Sequence, residues 1–484
     1  MAWTEHAQRL TSWLVVVSFL LFSLPSAAEI GSRASWPNGP LVTSGRWITD
    51  ASGAKITYAG VNWPGSLETM IPEGLQYQSI ETIVSKIKSL GMNAIRLTYA
   101  TEMIDQYYEN GEQDVTMQRA FADALGEEAG MGVYDKVVAN NPSFGPETTR
   151  LQVYDAIAAE CAKQEIYVHL DNHVSKAGWC CSPLDGNSWW NDTYFGVANW
   201  TRGLSFMAEH GKTWPNLMSM SLRNELRIPL TSQQVATSYN WEEWYKYVRQ
   251  GADAIHASNP DVLIFLSGLD SDKNLTTIVR GAALEPGTAT FDRGDFEGYG
   301  DDKLVLELHV YDNIYRTPPS DCAEITGNLF DAGFQTLNSS AANQFPLVVT
   351  EFGFPQNAAA GSDAYASCLL DYFPSQNAGW MIWQLGGSYY IREGTPDGDE
   401  EWALLSHDWS SWRSPDFING LLSPAVKAST APIPDSEGDD SSDDNDKPSD
   451  DTSSASSLSQ TEAGIALTLG LLAFSICMRF GITF

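Results

Sequence analysis

Short apolar segments alternate with amphipathic segments along most of the chain. Eight apolar segments, each bounded by Gly, Pro or polar residues, have the pattern of buried β-strands. Between them, apolar residues recur at helical spacing, as at Ile80, Ile83 and Ile87. The pattern predicts strands at residues 56–63, 93–99, 166–173, 218–225, 262–268, 304–311, 346–353 and 380–386, and helices at 80–90, 151–163, 198–209 and 231–256.

This alternation predicts an α/β fold. Continuously apolar strands separated by helices indicate a parallel sheet covered on both faces. Eight such strands fit a closed (β/α)8 TIM barrel. A doubly wound open sheet is the alternative, but no Gly-rich phosphate loop follows the first strand to support it. The connection at residues 101–147 is long and includes a predicted helical piece near 117–125. We expect long loops on the C-terminal face of the strands, where they shape a cleft.

The two ends of the chain differ from this central domain, residues 29–426. Residues 1–28 resemble a secretory signal peptide, with an apolar stretch that ends in small residues. Residues 427–460 are acidic and rich in Ser and Asp, which predicts a disordered linker. Residues 461–484 form a hydrophobic tail that is short for a spanning helix and favours a GPI-anchor signal over a membrane segment. We therefore expect a secreted, extracellular protein attached to the cell surface or cell wall.

Sequons and cysteines agree with secretion. Predicted glycosylation sites are Asn191, Asn199, Asn274 and Asn338. Of six cysteines, Cys477 lies in the tail and Cys161 falls on an apolar helical face, which predicts a buried free thiol. The other four allow three pairings. Among these, Cys322–Cys368 with Cys180–Cys181 is favoured.

Charge restricts the choice of partner. The chain has 28 basic and 61 acidic residues, for a net charge of −33. Such an acidic surface repels the phosphate backbone of nucleic acid, so we expect no nucleic-acid partner. A neutral substrate fits this charge better. The thiols are not spaced as ligand pairs, and no metal site is predicted from them. We expect a monomer that meets a membrane only through its C-terminal anchor.

Polar side chains recur where the predicted strands end. In a parallel barrel these ends open on one face, and that face carries the active site. Charged groups are rarely buried without partners, so packing alone does not explain so many of them at one end of apolar strands. These candidates are Arg96, His173, Asn224, Glu225, His309, Tyr311, Glu351 and Trp383.

Two of these candidates, Glu225 and Glu351, suit glycoside hydrolysis. A retaining mechanism needs a nucleophilic carboxylate and a carboxylic acid about 5–5.5 Å apart. The acid needs a raised pKa, and the nucleophile needs a nearby cation such as Arg96 to stay ionised. Asn224 is placed to hold a sugar hydroxyl, and Trp383 to form an apolar floor. Trp63, at the end of the first predicted strand, is a further candidate for substrate contact.

At residues 40–415 the chain resembles glycoside hydrolase family 5, a family of retaining (β/α)8 glycosidases. The resemblance implies that Glu225, in an Asn-Glu pair closing the fourth strand, is the proton donor and base, and that Glu351, closing the seventh, is the nucleophile. Residues 173–190, with Cys180-Cys181 and Trp189-Trp190, look like a cellulase-like branch of that family. Other counterparts of the family's active-site set are Arg96, His173, Asn224, His309, Tyr311 and Trp383.

The resemblance implies no metal or organic cofactor. It implies double displacement on a β-linked polysaccharide or oligosaccharide, with a cellulose-like β-glucan cut in endoglucanase fashion as the main hypothesis. Alternatives are the same chemistry on β-1,3-glucan, mannan or a glycolipid, transglycosylation, or a catalytically silent cell-wall binding protein.

Overall fold

The computed structural model describes residues 36–312, 321–357 and 359–433. Eight parallel strands form a closed barrel, in which each strand pairs with its neighbours in the chain and the first pairs with the eighth. The predicted (β/α)8 barrel is confirmed, and the open-sheet alternative is wrong. The strands are β1 (Ala59–Trp63), β2 (Ala94–Ala100), β3 (Tyr167–Val174), β4 (Leu217–Ser221), β5 (Leu263–Ser267), β6 (Leu304–Val310), β7 (Leu347–Phe352) and β8 (Gly379–Ile382).

Every residue of these eight strands is buried. The helices cover the outside and the inward side chains fill the inside, which explains why the strands are largely apolar. At the N-terminal end, inward residues such as Phe265 and Met218 pack with Leu41 and Ile48. Ile48 belongs to an antiparallel ribbon of Val42–Ser44, Trp47–Thr49 and Lys55–Ile56. The predicted first strand therefore divides, because Ile56 lies in the ribbon and β1 begins at Ala59.

Helices connect the strands on the outside of the barrel. Several begin at a side-chain cap, such as Ser79, whose hydroxyl accepts from the Thr82 amide at 3.1 Å. The longer helices are Ile80–Ser89, Thr101–Glu109, Met117–Leu125, Glu127–Asn140, Arg150–Lys163, Val197–Gly211, Trp241–Ser258, Cys322–Ala332, Ala364–Ser375 and Ser423–Ser429.

Two connections differ from the prediction. Residues 101–147, expected as a long connection with one helical piece near 117–125, contain that helix, Met117–Leu125, and two more, Thr101–Glu109 and Glu127–Asn140. The predicted helix 231–256 is instead two helices, Gln233–Ala236 and Trp241–Ser258. The break occurs because the side chain of Asn240 accepts from the Glu243 amide at 2.9 Å and starts a new helix.

The structure also locates several predicted surface features. It contains the disulfides Cys180–Cys181 and Cys322–Cys368, and Cys161 is a buried free thiol. Asn191, Asn199 and Asn338 are exposed and Asn274 is half-buried, so glycosylation at all four stays a prediction. Within the described ranges, no helix is both long enough and apolar enough to cross a membrane. The predicted signal peptide, the linker after residue 433 and the tail lie outside the described residues.

Candidate active site

The C-terminal face of the barrel brings the two predicted carboxylates together. Glu351 lies in β7, whereas Glu225 comes four residues after the end of β4, in a left-handed backbone conformation with φ +46°. One oxygen of each carboxylate and a ring nitrogen of His309 all lie within 4.8 Å of one another. The pairing predicted from two separate apolar segments is thus present in space.

Arg96, on β2, joins strands from around the barrel. Its buried guanidinium donates to Glu351 Oε1, to Asn62 Oδ1 at 2.9 Å and to Asn224 Oδ1 at 2.8 Å. It also lies 3.0 Å from Asp171 Oδ2. Burial disfavours the cation, but the carboxylates of Asp171 and Glu351 outweigh burial and raise the pKa of Arg96. Glu351 therefore faces a permanent positive charge.

Tyr311 completes the environment of Glu351. Its hydroxyl donates to Glu351 Oε2 at 2.8 Å, while Arg96 occupies the other carboxylate oxygen. Burial and the nearby carboxylates raise the pKa of Tyr311, so the phenol keeps its proton and remains a donor. Two donors thus hold the Glu351 carboxylate in one orientation at the mouth of the barrel.

Glu225 pairs with His309. The imidazole Nδ1 of His309 lies 3.1 Å from Glu225 Oε1 and 3.5 Å from Glu351 Oε2. Burial disfavours the imidazolium, but Glu351, Glu225 and Asp272 outweigh burial and raise the pKa of His309 to about 9. Burial alone would raise the pKa of Glu225, yet the hydrogen bond from His309 lowers it. The raised pKa expected for Glu225 from the sequence is therefore wrong for the free protein.

The same geometry bears on metal binding. Glu225, His309 and Glu351 have the donor types and spacing that a metal ion accepts. The raised pKa of His309 instead places a proton between the two carboxylates, and the imidazolium supplies the positive charge there. In the metal-free site these residues therefore form a carboxylate–imidazolium cluster.

His173 and Trp383 form one wall of the site. Their rings stack with centroids 5.5 Å apart and planes inclined by 4°. Nδ1 of His173 lies 2.7 Å from Asp171 Oδ2, and Arg96 and His173 together hold the pKa of the buried Asp171 at about 2, against the effect of burial. An ionised Asp171 therefore orients the His173 ring, which in turn supports the Trp383 indole.

A cavity of about 450 Å³ contains both glutamates. Trp179 and Trp402 line it with Trp383, and Asn224 donates to the sulfurs of the Cys180–Cys181 disulfide at 3.5 and 3.6 Å. Other lining residues are His173, Ser271, Lys273, Tyr311, Arg392 and Glu400.

Trp63 does not belong to this cavity. Its indole is fully buried, donates to the Glu73 carbonyl at 3.0 Å and packs on Trp409. This position does not support the predicted contact with substrate.

Trp189 and Trp190 are likewise fully buried, beside Tyr239 and Tyr247. Trp179, unlike Trp63, is only partly buried and lines the cavity, and the Arg392 guanidinium covers one face of its ring at 3.5 Å from the centroid.

Several polar groups of the site were not among the sequence-based candidates, including Asp171 on β3, Ser271 and Arg392. Three others come from loops. Asp272 is buried beneath Glu225, Glu400 is a buried cavity-lining carboxylate that binds Arg392 at 2.9 Å, and Lys273 lines the cavity. All three lie on connections after strand ends rather than on strands. Since no periodic pattern marks such positions, only the general rule that loops after strands carry function points to them.

A closed parallel barrel whose strand ends join two carboxylates defines a (β/α)8 protein equipped for glycosidic chemistry. A family model described as cellulase (glycosyl hydrolase family 5) matches residues 49–388. The chain belongs to glycoside hydrolase family 5.

Two curated relatives illustrate the similarity. A glycosyl hydrolase 5 family protein from Chamaecyparis obtusa is 36% identical over 392 residues, which cover 79% of this chain and 65% of that relative. An endoglucanase from Paenibacillus polymyxa is 22% identical over 434 residues, covering 86% of this chain and 95% of the relative. The chain therefore spans slightly less than two thirds of the Chamaecyparis protein.

Solved structures show the same fold. A hyperthermophilic endocellulase from Pyrococcus horikoshii aligns with a TM-score of 0.59 at 19% identity, covering 80% of this chain and 99% of that chain. The catalytic domain of the major endoglucanase from Xanthomonas campestris pv. campestris aligns with a TM-score of 0.56 at 20% identity, with the same two coverages. A variant of the Pyrococcus endocellulase has also been solved in complex with cellotetraose.

Proposed function

We propose that this protein hydrolyses a cellulose-like β-glucan with retention of anomeric configuration. The observation that carries the proposal is the separation of at most 4.8 Å between an oxygen of Glu225 and an oxygen of Glu351. Retaining glycosidases place their carboxyl groups about 5–5.5 Å apart, whereas inverting ones need about 6.5–9.5 Å to admit a water. The two groups therefore lie close enough for one to bond the anomeric carbon while the other reaches the glycosidic oxygen.

In the first step Glu351 attacks the anomeric carbon. A bond forms between a Glu351 oxygen and that carbon, the bond to the glycosidic oxygen breaks, and Glu225 delivers a proton to the departing oxygen. Arg96 and Tyr311 hold Glu351 ionised and in one orientation. This preorganisation lets the carboxylate attack without rearrangement.

In the second step Glu225 acts as a base. It removes a proton from water, the water oxygen bonds the anomeric carbon, and Glu351 leaves as a carboxylate. In each step the incoming oxygen attacks the anomeric carbon from the face opposite the departing oxygen. Each step therefore inverts the configuration, and two inversions give net retention. Arg96 stabilises the carboxylate that is released.

The proton for the first step is available although the pKa of Glu225 is lowered. The pair of Glu225 and His309 shares one proton. That proton can lie on His309, next to an ionised Glu225, or on Glu225, next to a neutral His309. The atoms that exchange this proton are 3.1 Å apart, so the pair titrates as a unit. Exclusion of water by bound sugar favours the neutral form of both groups, which places the proton on Glu225.

A pH profile tests this shared proton. The pair loses its proton as pH rises through about 9, the value to which the pKa of His309 is raised. We expect kcat/KM for cellotetraose to fall above that pH. Dinitrophenyl β-cellobioside has a leaving group that needs no proton, so its kcat/KM should lack this alkaline decline. An equal alkaline decline for both substrates would contradict the assignment of the proton.

The choice of β-glucan rests on the cavity and on the relatives. Trp179, Trp383 and Trp402 offer aromatic faces to sugar rings, and Lys273 and Arg392 are the cavity's basic groups. The Paenibacillus relative is an endoglucanase, and a variant of the Pyrococcus endocellulase has been solved in complex with cellotetraose. We therefore propose soluble cellulose derivatives and cellooligosaccharides as substrates.

The test is a reducing-sugar assay on a panel of carboxymethylcellulose, β-1,3-glucan, mixed-linkage glucan and mannan, followed by proton NMR of the first product. The expected result is release from a β-1,4-linked glucan with a β-anomer as the initial product. An initial α-anomer would contradict retention, and release of sugar from mannan alone would contradict the proposed β-glucan substrate. Products longer than the substrate would show transglycosylation. Release from none of the polysaccharides would favour a binding protein without catalytic activity.

We propose in addition that the protein is secreted and held at the cell surface. Support comes from the signal-like residues 1–28, the anchor-like residues 461–484 and the exposure of Asn191, Asn199 and Asn338. Release of activity from cells by a phosphatidylinositol-specific phospholipase is the expected result. Detection of Phe484 in the mature protein by C-terminal mass spectrometry would contradict the anchor.

A further inference from the structure

The turn after β5 has an unusual backbone. Asp270, Ser271 and Asp272 all lie in the left-handed region, with φ of 57°, 56° and 59°. Left-handed conformations of residues other than glycine are disfavoured and persist only where surrounding contacts impose them. Three in succession within Leu269–Asp272 therefore require an explanation from what the turn contacts.

The contacts come from the segment that carries Glu225 and from the helix region after it. The Ser271 amide donates to the Leu226 carbonyl at 2.9 Å. The Asp270 amide donates to the Tyr239 hydroxyl at 2.6 Å, and that hydroxyl donates in turn to the Leu226 carbonyl at 3.3 Å. The turn is thus fixed to the residue that directly follows Glu225.

This fixed turn directs Asp272 beneath the proton donor. The Asp272 side chain is fully buried, and its Oδ2 accepts from the backbone amide of Glu225 at 2.7 Å. The same oxygen lies 3.7 Å from Nε2 of His309, the ring nitrogen opposite the one that faces Glu225. Neither Asp272 Oδ1 nor His309 Nε2 has a hydrogen-bond partner within the described residues. One carboxylate therefore contacts the backbone of Glu225 and faces the ring that pairs with its side chain.

Glu225 also has a left-handed backbone, with φ +46°. Its amide is held by Asp272, and this bond helps to keep the residue in a conformation that an unrestrained chain avoids. Two strained segments consequently meet at a single buried carboxylate. Packing alone would not place a carboxylate with an unpartnered oxygen at this point, because burying one is costly.

We propose that Asp272 is a positioning residue for the acid–base half of the site. It holds the Glu225 backbone and the His309 ring where Glu225 can reach the glycosidic oxygen. The inference rests on the proposed function. The two catalytic carboxylates then have separate supports, because Glu351 is held independently by Arg96 and Tyr311. Loss of Asp272 should impair proton transfer and leave nucleophilic attack intact.

Asp272 also affects the proton that His309 holds. Burial raises the pKa of Asp272 to about 8, while the His309 cation opposes the rise. Above that pH the carboxylate is ionised and disfavours loss of the His309 proton. Groups facing His309 are Glu225 beyond β4, Asp272 beyond β5, Glu351 on β7, and Glu307 two residues earlier on β6. With Asn at position 272, the alkaline limb of the kcat/KM profile should move to lower pH.

The experiment compares Asp272→Ala, Asp272→Asn and the control Asp270→Asn in the full chain. Asp270 shares the left-handed turn but is exposed. For each variant, kcat/KM is measured on cellotetraose and on dinitrophenyl β-cellobioside, and the ratio of the two is taken. This ratio is independent of the amount of folded protein, so partial misfolding does not mimic the expected result.

For Asp272→Ala we expect the ratio to fall about 100-fold, the size of effect that follows a displacement of a catalytic group by about 1 Å. Asp272→Asn keeps an oxygen for the Glu225 amide and should recover most of the ratio at neutral pH, while its alkaline limb shifts downward. Asp270→Asn should match the wild type.

An unchanged ratio in Asp272→Ala, with both substrates affected equally, would overturn the inference and leave a structural role. The inference would also be overturned if the ratio fell as far for Asp270→Asn as for Asp272→Ala. The effect would then come from the turn as a whole and not from the Asp272 side chain. Failure of the proposed function looks different, because the wild type itself would then not cleave cellotetraose.

Discussion

Replacement of Glu351 by Gln is expected to lower kcat by at least about 10⁴-fold, because the amide cannot form the glycosyl-enzyme ester. Gln has the size of Glu, and its carbonyl oxygen can accept from Arg96 in place of Glu351 Oε1. Arg96 also keeps Asp171 at 3.0 Å as a counter-ion. The barrel should therefore remain folded while turnover stops.

The measurement is kcat on cellotetraose together with the thermal unfolding midpoint and the circular dichroism spectrum. Glu401→Gln provides a matched control, because Glu401 is an exposed glutamate on a nearby connection. Full activity in Glu351→Gln would exclude Glu351 as the nucleophile. An unfolded Glu351→Gln variant would instead show that the Arg96 ion pair is needed for the fold.

Replacement of Glu225 by Ala is expected to divide the two half-reactions. For cellotetraose, kcat/KM should fall by about 10²–10⁴-fold, the contribution of a positioned general acid. For dinitrophenyl β-cellobioside, kcat/KM should stay within a few-fold of the wild type, because its leaving group departs unprotonated. Its kcat should fall, since water then lacks the base that activates it.

Sodium azide distinguishes this role from a general loss of structure. Azide needs no base, so it should restore kcat of Glu225→Ala on the dinitrophenyl substrate and give a β-glycosyl azide. The wild type should show no such stimulation. An α-glycosyl azide would contradict the double displacement, and absence of rescue would contradict the role of Glu225 as base.

The barrel could be predicted from the sequence because its signal is local. Each strand is a short apolar segment closed by polar residues, and eight of them separated by helices leave few arrangements. Glu351 followed directly, since it lies within β7. Two helices inside residues 101–147 were missed, and one of them, Glu127–Asn140, has a weak apolar stripe, with only Gly130, Tyr134 and Val137 buried.

The rest of the site depends on contacts between residues distant in sequence. Trp63 looked like a cleft residue because it ends an apolar segment, but the loop carrying Glu73 and the more distant Trp409 cover it. Asp272 lies in a polar segment whose left-handed backbone is imposed by Leu226 and Tyr239. Local patterns contain no information on such imposed conformations.

The Arg96 network has a consequence for how activity is acquired during folding. Its partners Asn62, Asn224 and Glu351 are 34, 128 and 255 residues away along the chain. A partly formed sheet that lacks β7 leaves the guanidinium without one of its two carboxylate partners and leaves Glu225 without a nucleophile to pair with. Catalytic competence therefore reports closure of the ring of strands, and in refolding experiments the return of turnover should coincide with the last cooperative step rather than with the appearance of helices.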